Sequence, residues 1–160
     1  MKYFEDIAVG ERMTIGRHTF KADEIKAFAT RFDPQPFHVD EAAAARSHFG
    51  ALVASGWHTA VVWMRMMVEQ RRRLADMARA RGEPVAGIGP ALGLRDLKWH
   101  RPVYVDDTVD YESEIIDTRT SASRPNLGLI TIRSTGINQR GEPVISFIST
   151  TFVERRPVKE

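Results

Sequence analysis

Trp57-His58-Thr59-Ala60-Val61-Val62-Trp63-Met64-Arg65-Met66-Met67-Val68 carries one formal charge, on Arg65. A helix that is apolar on nearly every face is a buried helix, so this stretch predicts a central helix on which the rest of the chain packs. The pattern continues through Glu69-Gln70-Arg71-Arg72-Arg73-Leu74-Ala75-Asp76-Met77, amphipathic and basic, where the helix is expected to emerge into solvent. It should span Trp57 to about Arg81, and Gly82-Glu83-Pro84 stops it. Trp57, Trp63 and the methionines at 64, 66, 67 and 77 read as mostly core.

Beyond this helix the chain is strand-like. Leu92 and Leu94 share one phase and Leu97 and Trp99 the other, which predicts a bulge near Arg95-Asp96. Asp106-Asp107 is a turn. Val109, Tyr111, Ser113 and Ile115 alternate with polar residues in a half-exposed strand. Ser121 to Asn126 reads as a hairpin tip, Leu127 to Asn138 as a strand, Gln139 to Glu142 as a turn and Val144 to Val153 as the last strand. Ahead of the helix, Met13 to Phe20 is a weak strand and Asp23 to Arg31 a short helix that turns Ile25, Phe28, Ala29 and Phe32 inward. Asp40 is placed to N-cap a second short helix through Arg46. These elements give an α+β domain, read as a single domain over 1–160. One sheet on one helix leaves an edge strand unpaired.

Between the two short helices lies Phe32-Asp33-Pro34-Gln35-Pro36-Phe37-His38-Val39-Asp40. Its two prolines fix φ and push Asp33 and Gln35 toward extended geometry, which predicts a stiff loop. Such a loop holds side chains at a set separation. A carboxylate and an imidazole can grip one water and move its proton. The plainer reading makes Asp33 a helix cap and His38 a satisfied, half-buried side chain. Ser55-Gly56 precedes the long helix. Alone, Gly56 reads as a tight helix entry and Ser55 as an N-cap.

Taken together, Asp33-Pro34-Gln35-Pro36-Phe37-His38, the later Val53-Ala54-Ser55-Gly56, Phe28-Ala29, Pro102-Val103 and the opening Phe4-Glu5-Asp6 with Val9-Gly10 resemble the MaoC-like dehydratase family. That family includes (R)-specific enoyl-CoA hydratases. The likeness runs from Tyr3 to about Val153. It implies a hotdog fold, in which an antiparallel sheet wraps a long helix, and usually a homodimer. It implies that Asp33 and His38 are the acid/base pair, with the family's five-residue offset. It also implies that the N–H of Gly56 serves the thioester oxygen. Two residues depart from the motif: Gln35 stands where the family has Asn, and Phe37 where it has an aliphatic residue.

The expected activity is a hydro-lyase that reversibly hydrates 2-enoyl-CoA to 3-hydroxyacyl-CoA. Asp33, His38 and Gly56 are its catalytic candidates and Ser55 is a substrate-binding candidate. The expected partner is an acyl-CoA substrate and no cofactor is called for, coenzyme A being part of that substrate. No second histidine falls at ligand spacing from His38-x-Asp40, so no metal is expected. Arg101, Arg124 and Arg71 to Arg73 are basic residues that could meet coenzyme A phosphates, with a solvated face the plainer reading of each. A thioesterase on the same fold is the rival within enzymes, and the Asp33/His38 pair argues against it. A non-catalytic acyl-CoA-binding module is the rival outside enzymes.

Composition bounds the rest. The chain has 160 residues, 42% hydrophobic and 28% charged, with a net charge of +2. That balance does not suggest a nucleic-acid partner. Without cysteine there is no disulfide, thiolate nucleophile or thiolate metal site. No apolar run reaches membrane-span length, and the first residues lack a signal peptide's apolar stretch, so the expected location is cytoplasmic.

Overall fold

The structure, a computed structural model, describes residues 2–157. A 3-10 turn at Phe4–Asp6 leads into β1 (Arg12–Thr19), α1 (Ala22–Phe32), α2 (Pro36–Val39), α3 (Glu41–Ala45) and the long α4 (Gly56–Ala80). Four strands follow: β2 (Ile88–Trp99), β3 (Thr108–Thr120), β4 (Leu127–Asn138) and β5 (Pro143–Glu154). They form one antiparallel sheet in the order β1-β3-β4-β5-β2. This is the hotdog arrangement. Both β1 and β2 are edges, where one was expected.

Two hydrophobic clusters lie along the sheet. The larger joins Ile15, Val109, Tyr111, Ile145 and Phe147 to Val62, Trp63 and Met67 of α4. The Trp63 indole meets the Phe147 ring edge-on at 4.7 Å. The fully buried Tyr111 ties sheet to helix, its hydroxyl donating to the Thr59 carbonyl at 3.0 Å. Burial, with the negative Glu24 adding to it, pushes that phenol well above its ordinary range. The smaller cluster, Ile130, Ile132 and Val153, is covered by Phe4 and Ile7 of the N-terminal segment.

The elements follow the sequence reading closely, with four differences. Phe32, expected to face inward from α1, is 61% exposed. The proline-rich stretch is not all loop: Pro36–Val39 forms one helical turn. Pro36 takes the first helical position, where its missing N–H costs nothing. The long helix is not buried on every side. Trp57, Val61, Met64 and Val68, at helical spacing, are 44–54% exposed. One sheet can cover only one flank of a cylinder, so an all-apolar sequence leaves an apolar stripe outside. The second half of α4 emerges into solvent on most of its surface, as expected, but Ala75 and Ala78 stay buried.

β2 is irregular, with register shifts between Arg95 and Lys98 and a left-handed Asp96 at φ 55°, as the phase change predicts. Among the described residues, no helix is long and apolar enough to cross a membrane.

Candidate active site

Asp33 closes α1, its N–H donating to the Ala29 carbonyl at 2.8 Å. Pro34 and Pro36 then turn the chain so that His38, on α2, faces back toward it. The imidazole is 5% exposed. Its Nδ1 lies 2.7 Å from the Val53 carbonyl. A carbonyl oxygen only accepts, so Nδ1 carries the proton, and neutral His38 presents a bare Nε2. That Nε2 is 3.5 Å from Asp33 Oδ2. Two acceptors face each other, and such a pair requires either a proton on the imidazole or a donor between them.

The segment that carries Val53 is pinned on both sides. The Val53 N–H donates to Phe37 at 3.3 Å and the Ala54 N–H to Val103 at 2.8 Å. Val53 also bridges Tyr104. The next two residues are Ser55 and Gly56, so these bonds set the start of α4 against the Asp33/His38 turn.

Ser55 is 1% exposed, and its hydroxyl donates to Asp33 Oδ2 at 2.6 Å. Ser55 Oγ in turn accepts the Trp57 N–H at 3.2 Å, the N-cap bond of α4. The Ser55 proton is therefore committed to Asp33, and Ser55 supports the carboxylate instead of facing the cavity. Gln35 Nε2 donates to Asp33 Oδ1 at 2.8 Å. Burial alone would raise the Asp33 carboxyl. The bonds from Ser55 and Gln35, with His38 nearby, outweigh it and hold the group below its ordinary value.

Gly56 is the first residue of α4, and its N–H has no partner among the described residues. That N–H sits at the positive end of the helix dipole. A Cβ at Gly56 would lie 2.5 Å from the Trp99 indole. Close packing under Trp99 thus requires glycine here, independently of any ligand.

Asp33, His38 and Gly56 line one cavity of about 470 Å³, with Phe37, Trp57, Trp99 and Arg101 among its walls. The structure brings all four sequence candidates together. Sequence reading missed Gln35 as a donor to Asp33, although an amide two residues from a carboxylate across a proline was a usable signal. It also missed the Val53 carbonyl and Trp99, which depend on tertiary contacts.

Of the remaining histidines, His100 also lines this cavity. His58 is buried and stacks on Phe28 at 4.5 Å, and burial pulls it down to about 4. His18 has a partner that sequence did not give it, with Nε2 2.6 Å from Glu24 Oε1. His100 Nε2 is 2.7 Å from Ser146 Oγ. Among the described residues no group of three or more His, Asp or Glu is arranged to hold a metal ion.

Comparison with known proteins agrees with this architecture. Residues 7–147 match the family model described as FAS1-like, dehydratase domain region. The crystal structure of a MaoC-like dehydratase from Rhodospirillum rubrum is 39% identical, covers 99% of this chain and 100% of that one, and superposes with a TM-score of 0.81. A mesaconyl-CoA hydratase from Haloarcula hispanica is 35% identical over 69 residues, 42% of this chain but only 19% of that protein. A 3-hydroxybutyryl-CoA dehydratase from Methylorubrum extorquens is 25% identical over 125 residues, 78% of this chain and 71% of that one. The chain belongs to the MaoC-like dehydratases, the family whose domain the FAS1-like dehydratase region represents.

Proposed function

We propose that this protein is a hydro-lyase that reversibly adds water to 2-enoyl-CoA thioesters, giving 3-hydroxyacyl-CoA. The observation that carries the reading is the pair of acceptors, Asp33 Oδ2 and His38 Nε2, facing each other at 3.5 Å beside a cavity. A water that donates one hydrogen to each turns its oxygen lone pairs away from both, toward a substrate carbon. The relatives that act on CoA thioesters support the substrate class.

In the forward step the water oxygen bonds to the β-carbon and one O–H bond breaks. Asp33 activates the water. His38 orients it and takes part in carrying its proton to the α-carbon. The two groups act as one coupled unit. Electron density moves meanwhile onto the thioester oxygen, which the free Gly56 N–H stabilises. One such donor contributes roughly 3 kcal/mol in the transition state. Proton delivery to the α-carbon then completes the addition of one water. The reading asks for no metal and no redox cofactor. R stereochemistry is what the resemblance to (R)-specific hydratases implies.

The same reading makes the working form at least a homodimer. The exposed stripe of Trp57, Val61, Met64 and Val68 and the edge strand β2, with Leu92 and Leu94 exposed, form an apolar surface suited to a second copy.

The test is a spectrophotometric assay on crotonyl-CoA that follows the conjugated enoyl absorbance beside a thiol reagent. Absorbance loss without thiol release supports hydration. Thiol release would instead assign a thioesterase.

A further inference from the structure

We propose that Arg101 seats a carboxylate carried by the acyl group, so that the preferred thioester is that of an unsaturated dicarboxylic acid. The inference rests on the hydratase reading above and adds the substrate's second functional group.

Arg101 is the one Lys or Arg among the described residues that line the cavity holding Asp33 and His38. It follows the end of β2, two residues before Val103, whose carbonyl holds Ala54 against the start of α4. Its backbone is therefore fixed relative to the catalytic turn. Phe37, Phe49, Trp57 and Trp99 are among the other walls of the cavity, with Val53, Val103 and Val144. A guanidinium beside such walls binds a planar carboxylate better than it would in open water.

Its present partner can be displaced. Arg101 Nε lies 3.2 Å from Glu142 Oε1, with the two side chains 48% and 36% exposed. An ion pair so open to solvent holds weakly. Glu142 has other partners, accepting from Asn138 Nδ2 at 3.0 Å and from Arg140 Nε at 3.1 Å. It stays satisfied when Arg101 turns toward a ligand. A substrate carboxylate in this cavity must also offset the negative Asp33, and Arg101 supplies the counter-charge. The phosphates of coenzyme A are the competing anions, and two thioesters that carry the same coenzyme A separate them from an acyl carboxylate.

The test uses fumaryl-CoA and crotonyl-CoA, which differ only in a terminal carboxylate against a methyl. Steady-state kcat and KM are measured for both with the wild-type protein, Arg101→Gln and Arg101→Lys, each checked for folding by thermal melting. We expect the wild type to prefer fumaryl-CoA. In Arg101→Gln the ratio of kcat/KM values, fumaryl over crotonyl, should fall about 10- to 100-fold, chiefly through KM, and Arg101→Lys should recover part of it. A wild-type preference for crotonyl-CoA, or an equal loss on both thioesters in Arg101→Gln, overturns the proposal; an equal loss would place Arg101 on the coenzyme A phosphates or in the scaffold. Failure of the wild type to hydrate either thioester would instead overturn the hydratase reading, and the carboxylate seat with it.

Discussion

Ser55 Oγ donates a 2.6 Å hydrogen bond to Asp33 Oδ2 while capping the first turn of α4 through the Trp57 N–H. One hydroxyl thus joins the carboxylate to the helix start that carries Gly56. Any shift of that helix start reaches Asp33 through a single bond.

Ser55→Ala should act on both ends of this link. Loss of the cap should cost about 1 kcal/mol of stability. Loss of the bond to Asp33 removes an interaction that lowers its pKa, so the acidic limb of the kcat/KM profile should move to higher pH. The measurement is a pH–rate profile beside a denaturant melt. A stability loss with an unmoved acidic limb would show that Ser55 serves the helix alone.

Gly56→Ala tests packing against chemistry. The new Cβ would meet the Trp99 indole at 2.5 Å, so the strain should cost about 1–3 kcal/mol. Trp99→Ala relieves that clash at the cost of its own packing, so the double variant should lose less stability than the two single losses added together. Activity should recover in part, because the N–H at position 56 remains in place. If the double variant is stable but as inactive as Gly56→Ala, steric relief by itself does not restore the oxyanion donor.

His58 should make stability fall in mild acid. Its native pKa is about 4, because burial opposes the charged form, and His18 and Arg65 add to the lowering while Glu24 opposes it. The unfolded chain takes up this proton near pH 6.5. The contribution is therefore complete above about 6.5, shrinks as pH falls and is gone below about 4, at most about 3 kcal/mol in all. Replacing His58 with Phe should flatten the stability profile over that window, as read by chemical denaturation between pH 4 and 7. An unchanged slope would assign the acid sensitivity to other groups.

The exposed helix stripe bears on assembly. Met64→Glu places a charge among Trp57, Val61 and Val68 and should reduce a dimer to monomers in analytical ultracentrifugation, with little effect on the monomer's own fold. An unchanged sedimentation coefficient would move the interface elsewhere.

Much of this fold was legible because its signals are local. The span of α4, the β4 strand at Leu127–Asn138 and the irregularity near Asp96 follow from periodicity, breakers and phase. The Asp40 cap on α3 was legible in the same way, its Oδ1 accepting the Ala43 N–H at 2.7 Å. The outer stripe of α4 was not, because hydrophobicity does not say which flank the sheet covers. In the site, the fixed spacing of Asp33 and His38 could be read, and so could the placement of Ser55-Gly56 at the helix head. The Val53 carbonyl that sets the His38 tautomer could not, since any residue type supplies a carbonyl. Arg101 stands far from Asp33 in sequence, and only the fold brings both to one cavity.

The most direct measurement is the rate of enoyl absorbance loss on crotonyl-CoA for the wild type and for Asp33→Asn, with free thiol followed in parallel. Asparagine keeps the size of the side chain but cannot take a proton. The acid/base reading predicts hydration without thiol release in the wild type and a fall of about 10²- to 10⁴-fold in kcat for a folded Asp33→Asn protein. Hydration that survives Asp33→Asn at close to the wild-type rate would contradict it.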